Sequence, residues 1–250
     1  MIEQGRKPAY FAGGTEIITL GRSNRFFSDA IIDIKSISAC HIAEINGDSI
    51  YFGAALPLTK VIEANFFPLL NKTLAEIADQ TARNKITLGG NICGEIPYRE
   101  AVLPFLITNS KAIIADCNGL KEIPFTSVFD KKLRLKNEEM LVSVKLPKAD
   151  IALPFVSIKK RRIWNVGYPL ITANAILKAD KIKIAFSGLC KFPFYCSEIE
   201  HALSTKAKIK HVIHEIPDAV LNDVHGSASY RHFVLENMLE DIFNTLKGEN

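Results

Sequence analysis

Two glycine pairs, each next to apolar or small residues, constrain this chain more than any other feature. One lies at residues 11–16 (FAGGTE, the first loop) and the other at residues 87–91 (TLGGN, the second loop). Either pair alone is a turn signal. Because glycine has no Cβ, such turns also let backbone N–H groups approach an anion closely. Two of them in one chain suggest a single diphosphate that is held from two sides.

Length, composition and charge are those of an ordinary globular protein. The chain has 250 residues, of which 48% are hydrophobic and 23% are charged, so it can bury a sizeable core and has room for two domains. The net charge of +4 is too small to require nucleic acid or a membrane surface as a partner. No apolar run reaches the length of a membrane span, which is about 18 residues. The first residues lack the apolar core of a secretory signal, so a cytoplasmic location is expected.

The motifs of several other protein classes are absent from the sequence. The absence of Gly-x-Gly-x-x-Gly disfavours a Rossmann fold. The absence of a P-loop leaves kinase and ATPase interpretations unsupported. No Gly-x-Ser-x-Gly motif is present to supply a serine nucleophile. The five cysteines form no Cys-x-x-Cys pair and are expected to be small buried residues, not a disulfide framework, an iron–sulfur site or a zinc site. His211 and His214 have the spacing of metal ligands on a helix, but without a third ligand a solvated face is favoured.

Hydrophobic periodicity predicts an α+β protein. Strands are expected at residues 8–12, 30–34, 49–54, 111–115 and 140–146, and helices after Pro57, from Pro68 and from about Ile96. The charged segment 148–150 is the predicted domain boundary. Beyond it we expect an antiparallel hairpin of residues 170–177 and 182–186, a capping box at residues 197–200, and a last helix from about Ser227 to Gly248.

The two loops also resemble those of a known family. Residues 83–91 (RNKITLGGN) resemble the second flavin loop of the FAD-binding medium subunit of molybdenum hydroxylases, a family that includes xanthine dehydrogenases and carbon monoxide dehydrogenases, and the first loop resembles its first flavin loop. Four later motifs follow in the order of the family's C-terminal domain, at residues 155–159, 168–170, 185–188 and 227–231. The resemblance therefore covers nearly the whole chain. Family members usually have an extra strand and helix before the first loop, so a shortened N-terminal lobe is expected.

The resemblance implies a fold and a cofactor. It implies a two-lobed FAD-binding domain of the para-cresol methylhydroxylase (PCMH) type over residues 1–147, and a smaller C-terminal domain of antiparallel sheet and helices over residues 151–250. FAD is the implied cofactor. The residues expected to bind it are Phe11, Ala12, Gly13, Gly14, Thr15, Glu16, Thr87, Leu88, Gly89, Gly90, Asn91, Glu100, Leu141 and Lys159.

Several of these residues have an alternative role that the sequence leaves open. The first loop is expected to hold one side of the diphosphate and the second loop the other, with a hydroxyl from Thr87. Glu100 resembles a family aspartate that accepts a ribose hydroxyl, but it also suits a helix N-terminus. Leu141 is expected to contact the flavin ring, unless it faces the core. Lys159 is expected near N1 of the flavin, although the run KKRR at residues 159–162 otherwise predicts a solvated strand edge.

The resemblance also implies a function. The chain is expected to be the FAD-binding electron-transfer subunit of a molybdenum hydroxylase, beside a [2Fe–2S] small subunit and a molybdopterin large subunit. A substrate such as xanthine would be oxidised in the large subunit, and electrons would pass through the clusters to FAD and then to NAD or another acceptor. Two alternatives stay open: a free-standing flavin reductase of the enolpyruvyl-glucosamine type, for which no acid and base are evident, and a flavin-free scaffold subunit of the same complex.

Overall fold

The computed structural model describes residues 6–162, 167–204 and 215–248, so His211 and His214 lie outside the described residues. Up to residue 147 the strands and helices are β1 (Pro8–Phe11), α1 (Thr15–Arg22), β2 (Ala30–Asp33), β3 (Ala43–Asn46), β4 (Ser49–Gly53), α2 (Leu58–Ala64), α3 (Pro68–Ala75), α4 (Gln80–Arg83), α5 (Leu88–Cys93), α6 (Leu103–Leu106), β5 (Lys111–Asp116), β6 (Gly119–Pro124), α7 (Phe125–Val128), β7 (Phe129–Asp130), β8 (Lys132–Leu133) and β9 (Met140–Pro147). The later elements are β10 (Phe155–Lys160), β11 (Ile171–Lys178), β12 (Lys181–Ser187), β13 (Phe194–Tyr195), α8 (Ser197–Ser204) and α9 (Ala228–Lys247).

A small N-terminal lobe carries the first loop. Its two strands, β1 and β2, pair in parallel, with Phe11 opposite Asp33, and α1 forms the connection that a parallel pair requires. This helix begins directly after Gly14, whose φ of 72° lies in the left-handed region where glycine has no steric penalty.

An antiparallel sheet with the strand order β3-β4-β9-β5-β6 forms the second lobe. Alternation in the sequence predicts that β9 is half-buried, but the structure buries it on both faces because an apolar cluster packs on each face of the sheet. Leu141 and Val144 pack into the main hydrophobic core. Val142 packs on the opposite face in a smaller cluster with Ile34 and Cys40. The sheet is therefore covered on the side that faces the small lobe as well as on the core side.

The residues after 150 form an antiparallel sheet with the order β10-β11-β12-β13, together with α8 and α9. The central strand β11 is buried along most of its length because α9 covers one face and helix α6 of the preceding region meets the other. Ile176 and Ala185 of this sheet accordingly belong to the main core, whereas Phe186 and Leu239 belong to a second core. The expected α+β fold with an antiparallel sheet and helices at its C-terminal end is confirmed.

Two predicted helix starts have different outcomes. Ser227 caps α9 as expected, since its Oγ accepts a hydrogen bond from the backbone N–H of Tyr230 at 3.2 Å. The capping box predicted at residues 197–200 is wrong. The carboxylate of Glu200 is engaged elsewhere, because it accepts hydrogen bonds from Lys183 Nζ at 2.7 Å and from the backbone N–H of Ile184 at 3.2 Å.

Candidate cofactor site

The first and second loops lie directly against each other. An ideal Cβ placed on Gly13 would come far inside the contact distance of the Lys85 carbonyl oxygen, and only 3.3 Å from the backbone nitrogen of Thr87. No side chain larger than hydrogen fits between these two backbones, so the sequence requires glycine here. The structure thus brings together the two stretches that the sequence singled out.

The side chain of Glu16 ties the first loop to Glu95, which follows α5 and lies beyond the second loop. Its Oε1 accepts a hydrogen bond of 2.7 Å from the backbone N–H of Glu95, which is 79 residues away in sequence. An ideal Cβ on Gly94 would lie 2.5 Å from Oε2 of the same carboxylate, so a glycine leaves room for this link. The carboxylate of Glu16 is thus engaged within the protein, so any contact of this predicted cofactor-binding residue with a cofactor would come from its backbone.

Four backbone N–H groups of the first loop have no acceptor among the described residues. Within the described residues, the N–H groups of Gly13, Gly14, Thr15 and Glu16 donate to no protein acceptor, and no side chain caps α1. The first N–H groups of a helix carry a partial positive charge and need a partner from outside the helix. An anion such as a phosphate meets both requirements. This arrangement fits a diphosphate-containing cofactor.

The backbone N–H groups of the second loop are already used. Those of Leu88 and Gly89 donate to the carbonyl oxygens of residues 56 and 54, at 2.9 and 2.8 Å, and that of Asn91 donates to the Thr87 carbonyl oxygen at 2.9 Å. That of Gly90 donates to Thr87 Oγ1 at 3.1 Å. The prediction that Gly89, Gly90 and Asn91 present free N–H groups to the diphosphate is therefore wrong. Their N–H groups bind acceptors in the protein because the loop packs against the residues after β4 and forms the first turn of α5.

The second loop still offers an open face and a hydroxyl. Gly90 is exposed, and an ideal Cβ there would meet only Thr87 Oγ1, at 2.8 Å. Thr87 accepts the hydrogen bond from Gly90 and keeps its own hydroxyl proton for donation. Gly89 has a different role, because an ideal Cβ on it would lie 2.6 Å from the Cβ of Ala54. Of the two glycines, Gly90 leaves space for a ligand and Gly89 leaves space for the core.

Glu100 and Lys159, which were both predicted to contact the cofactor, contact each other. Lys159 Nζ lies 2.6 Å from Glu100 Oε1, and each side chain is only 4% exposed. The same Nζ donates to the Glu76 carbonyl oxygen at 2.7 Å, and Arg161 Nη2 donates to that oxygen at 2.9 Å. The solvated strand edge predicted for residues 159–162 is therefore wrong for Lys159 and Arg161, which fasten β10 to the end of α3.

The remaining predicted residues lie in packed surroundings. Phe11 ends β1, and its ring covers the α-carbon of Gly14 closely enough to exclude a Cβ there. Ala12 is partly buried against the cluster of Ile34 and its neighbours. The Asn91 side chain is buried and accepts a hydrogen bond from the backbone N–H of residue 101 at 3.1 Å. Leu141 is 3% exposed and faces the main core.

Sequence reasoning missed a polar network beside the second loop. The hydroxyl of Tyr98 donates to Asp223 at 3.1 Å, and Asp223 accepts a second bond, of 2.6 Å, from the fully buried Arg231. Burial and the Asp223 carboxylate raise the pKa of Tyr98 to about 12. Tyr168 stacks on the Tyr98 ring with a centroid distance of 4.6 Å. Tyr98 and Asp223 are 125 residues apart, so no local pattern could have indicated their contact.

The described residues contain neither a membrane-spanning helix nor a cluster of metal ligands. No helix in residues 6–162, 167–204 and 215–248 is long and apolar enough to cross a membrane. The same residues contain no group of three or more histidine, cysteine, aspartate or glutamate side chains placed to hold a metal ion.

Similarity to solved structures defines the class of fold. One chain of carbon monoxide dehydrogenase from Hydrogenophaga pseudoflava superposes with a TM-score of 0.85 at 19% identity, over 95% of this chain and 88% of that chain. One chain of quinoline 2-oxidoreductase from Pseudomonas putida 86 superposes with a TM-score of 0.79 at 21% identity, over 94% and 88%. The fold is therefore that of a subunit of these oxidoreductases.

Sequence similarity then identifies the family. Residues 1–149 match the family described as the FAD binding domain in molybdopterin dehydrogenase, and the chain belongs to this family. The xanthine dehydrogenase FAD-binding subunit of Escherichia coli O157:H7 is 24% identical over 233 residues, which cover 88% of this chain and 80% of that protein. The glyceraldehyde dehydrogenase medium chain of Sulfolobus acidocaldarius is 22% identical over 90% and 85%. The predicted family, the class of enzyme and FAD as the cofactor are confirmed.

Proposed function

We propose that this chain is the electron-transfer subunit of a molybdenum hydroxylase complex and that it binds FAD between its first and second loops. The observation that carries this proposal is the contact of the two loops, with free N–H groups on the first beside the exposed Gly90 of the second. The membership of the family supports the identity of the cofactor.

The residues of the two loops have separate tasks in this proposal. The N–H groups of residues 13–16 bind the diphosphate, because they form the positive end of α1 and have no protein partner. The hydroxyl of Thr87 donates a hydrogen bond to the diphosphate. Gly90, which has no side chain, leaves the space that the diphosphate occupies. Glu16 and Gly13 keep the loops at a fixed separation. The bound FAD supplies the electron-transfer chemistry, so the chain needs no acid or base of its own.

The proposal also names partners. Relatives carry the names of subunits: the Sulfolobus acidocaldarius protein is a medium chain, and a Paenarthrobacter nicotinovorans protein is subunit alpha of the 6-hydroxypseudooxynicotine dehydrogenase complex. By analogy, a [2Fe–2S] small subunit delivers electrons to FAD, a molybdopterin large subunit oxidises the substrate, and NAD or another acceptor receives the electrons. We place the complex in the cytoplasm, and we divide the chain into an FAD-binding domain of residues 1–147 and a C-terminal domain of residues 151–250.

A free-standing flavin reductase is the second candidate, and it makes a different demand on the chain. Such an enzyme needs its own proton donor close to the flavin. Tyr98, which follows α5 in the chain, is a poor proton donor, because its pKa is raised to about 12 and its hydroxyl donates a hydrogen bond to Asp223. Co-purification with iron–sulfur and molybdenum subunits distinguishes the relay from this reductase.

Replacing Gly90 with Val is expected to weaken FAD binding by about tenfold or more, equivalent to losing one or two hydrogen bonds to a charged group. The reason is that the new side chain would occupy the open face of the second loop and push aside the hydroxyl of Thr87. FAD affinity is measured by titrating the purified chain and following flavin fluorescence.

The control for this variant is Thr81→Val, which places the same side chain at an exposed position of α4 outside both loops. It should bind FAD as the unmodified protein does. A folded Gly90→Val variant with unchanged FAD affinity would show that the diphosphate does not approach the second loop.

A further inference from the structure

Arg99 is a buried cation whose hydrogen-bonding capacity is mostly unused. The residue is 3% exposed, and it lies between α5 and the β7–β8 hairpin. Its Nη2 donates to the Lys131 carbonyl oxygen at 2.6 Å, and its guanidinium lies 5.7 Å from the ring centroid of Phe129. Its Nε and Nη1 are buried and have no hydrogen-bond partner. None of the motifs identified in the sequence contains Arg99.

Arg99 has no anionic partner among the described residues. No carboxylate in the described chain lies within ion-pair distance of its guanidinium, although buried arginines are normally paired. Burial lowers the pKa of Arg99, and the charges of Glu95 and Glu16 counteract that shift. Glu16 belongs to the first loop, and its carboxylate accepts a hydrogen bond from the backbone N–H of Glu95. Asn91 of the second loop accepts a hydrogen bond from the backbone N–H of Ala101, two residues after Arg99, so the segment that carries Arg99 is held against this loop.

The two loops need a positive charge that they do not contain. A diphosphate carries two negative charges, whereas the donors of the first and second loops are neutral N–H groups and the hydroxyl of Thr87. The single ionised side chain within the loops is that of Glu16, which is negative. Lys85, just before the second loop, is exposed to solvent, where water screens its charge. A charge-assisted bond from a buried guanidinium is stronger than one from a neutral donor.

We propose that Arg99 is the positively charged anchor of the diphosphate, and that its Nε and Nη1 bind phosphate oxygens when FAD occupies the site. This inference rests on the proposed function and adds a residue that neither glycine loop supplies. The two donors have no contact with solvent in this structure, so side chains between α5 and the β7–β8 hairpin would move aside when a diphosphate binds. The first loop, in contrast, is already open.

The test compares Arg99→Met with Arg99→Lys in the full-length chain. Arg99→Met keeps the volume and removes the charge, so it should raise the Kd for FAD by about tenfold to a hundredfold. The Kd for ADP, measured by competition, should rise by a similar factor because ADP contains the same diphosphate. Arg99→Lys keeps the charge but lacks the planar guanidinium, so its Kd values should lie between those of the unmodified protein and those of Arg99→Met. Lys132→Met, which removes an exposed charge from the same hairpin, should leave both Kd values unchanged.

Thermal unfolding without FAD separates a ligand-binding role from a structural one. An unpaired buried charge does not stabilise the cofactor-free protein, so Arg99→Met should keep or raise its Tm while it weakens FAD and ADP. A variant that loses Tm and affinity together would overturn the inference, as would Arg99→Met and Arg99→Lys variants with unaltered affinity for both nucleotides. Failure of the unmodified chain to bind FAD would instead overturn the proposed function.

Discussion

Replacing Lys159 with Met is expected to lower the free energy of unfolding by about 3–5 kcal/mol, the range seen when one member of a buried ion pair is removed. The ion pair with Glu100 is 2.6 Å long, and both side chains are 4% exposed. Without Lys159 the Glu100 carboxylate stays buried with no cation beside it, and the Glu76 carbonyl oxygen loses one of its donors. Chemical denaturation of the cofactor-free chain measures the change.

Two further variants show whether the ion pair is responsible. Lys160→Met removes the neighbouring charge, which points to solvent, and should change the stability by less than about 0.5 kcal/mol. Combining Lys159→Met with Glu100→Gln removes the uncompensated charge and should recover part of the lost stability. A Lys159→Met variant as stable as the Lys160→Met variant would contradict the account of this contact, and it would return Lys159 to its predicted position beside the flavin.

Replacing Gly13 with Ala is expected to separate the two loops. The added methyl group would overlap the Lys85 carbonyl oxygen, which belongs to the backbone and cannot rotate away. Overpacking of this kind lowers stability by about 1–3 kcal/mol. Because both loops are proposed to contact one diphosphate, moving them apart should also weaken FAD binding by roughly tenfold to a hundredfold. Denaturation and FAD titration of the same preparation measure the two effects.

The matched control is Gly21→Ala in the adjoining helix α1. An ideal Cβ on Gly21 has no atom within 4 Å, so this variant should gain up to about 1 kcal/mol from helix propensity and should bind FAD normally. If Gly13→Ala behaved as Gly21→Ala does, the close contact between the first loop and residues 85–87 would be refuted.

Local signals in the sequence were sufficient for much of the fold. Alternation identified the central strand β9, and the Ser227 cap and Gly248 marked the two ends of α9. These features depend on residues close together in the chain, which is why a single sequence reveals them. The capping box at residues 197–200 failed for the opposite reason. The carboxylate of Glu200 accepts hydrogen bonds from Lys183 and Ile184 of β12. A local sequence pattern contains no information about this distant strand.

The two glycine pairs could be singled out from the sequence, but the roles of their individual atoms could not. The sequence could not separate an exposed glycine, Gly90, from one that makes room for Ala54, Gly89. It could not show that the N–H groups of the second loop donate to acceptors within the protein. Nor could it show that Glu100 and Lys159 meet, since 59 residues separate them. Such pairings depend on how distant elements pack.

A crystal structure of the chain with FAD tests the central claim most directly. The account predicts that the diphosphate lies between the two loops, with phosphate oxygens within hydrogen-bonding distance of the N–H groups of residues 13–16 and in contact with Gly90. A diphosphate bound away from either loop, or a first loop whose N–H groups remain free while FAD is bound, would contradict it.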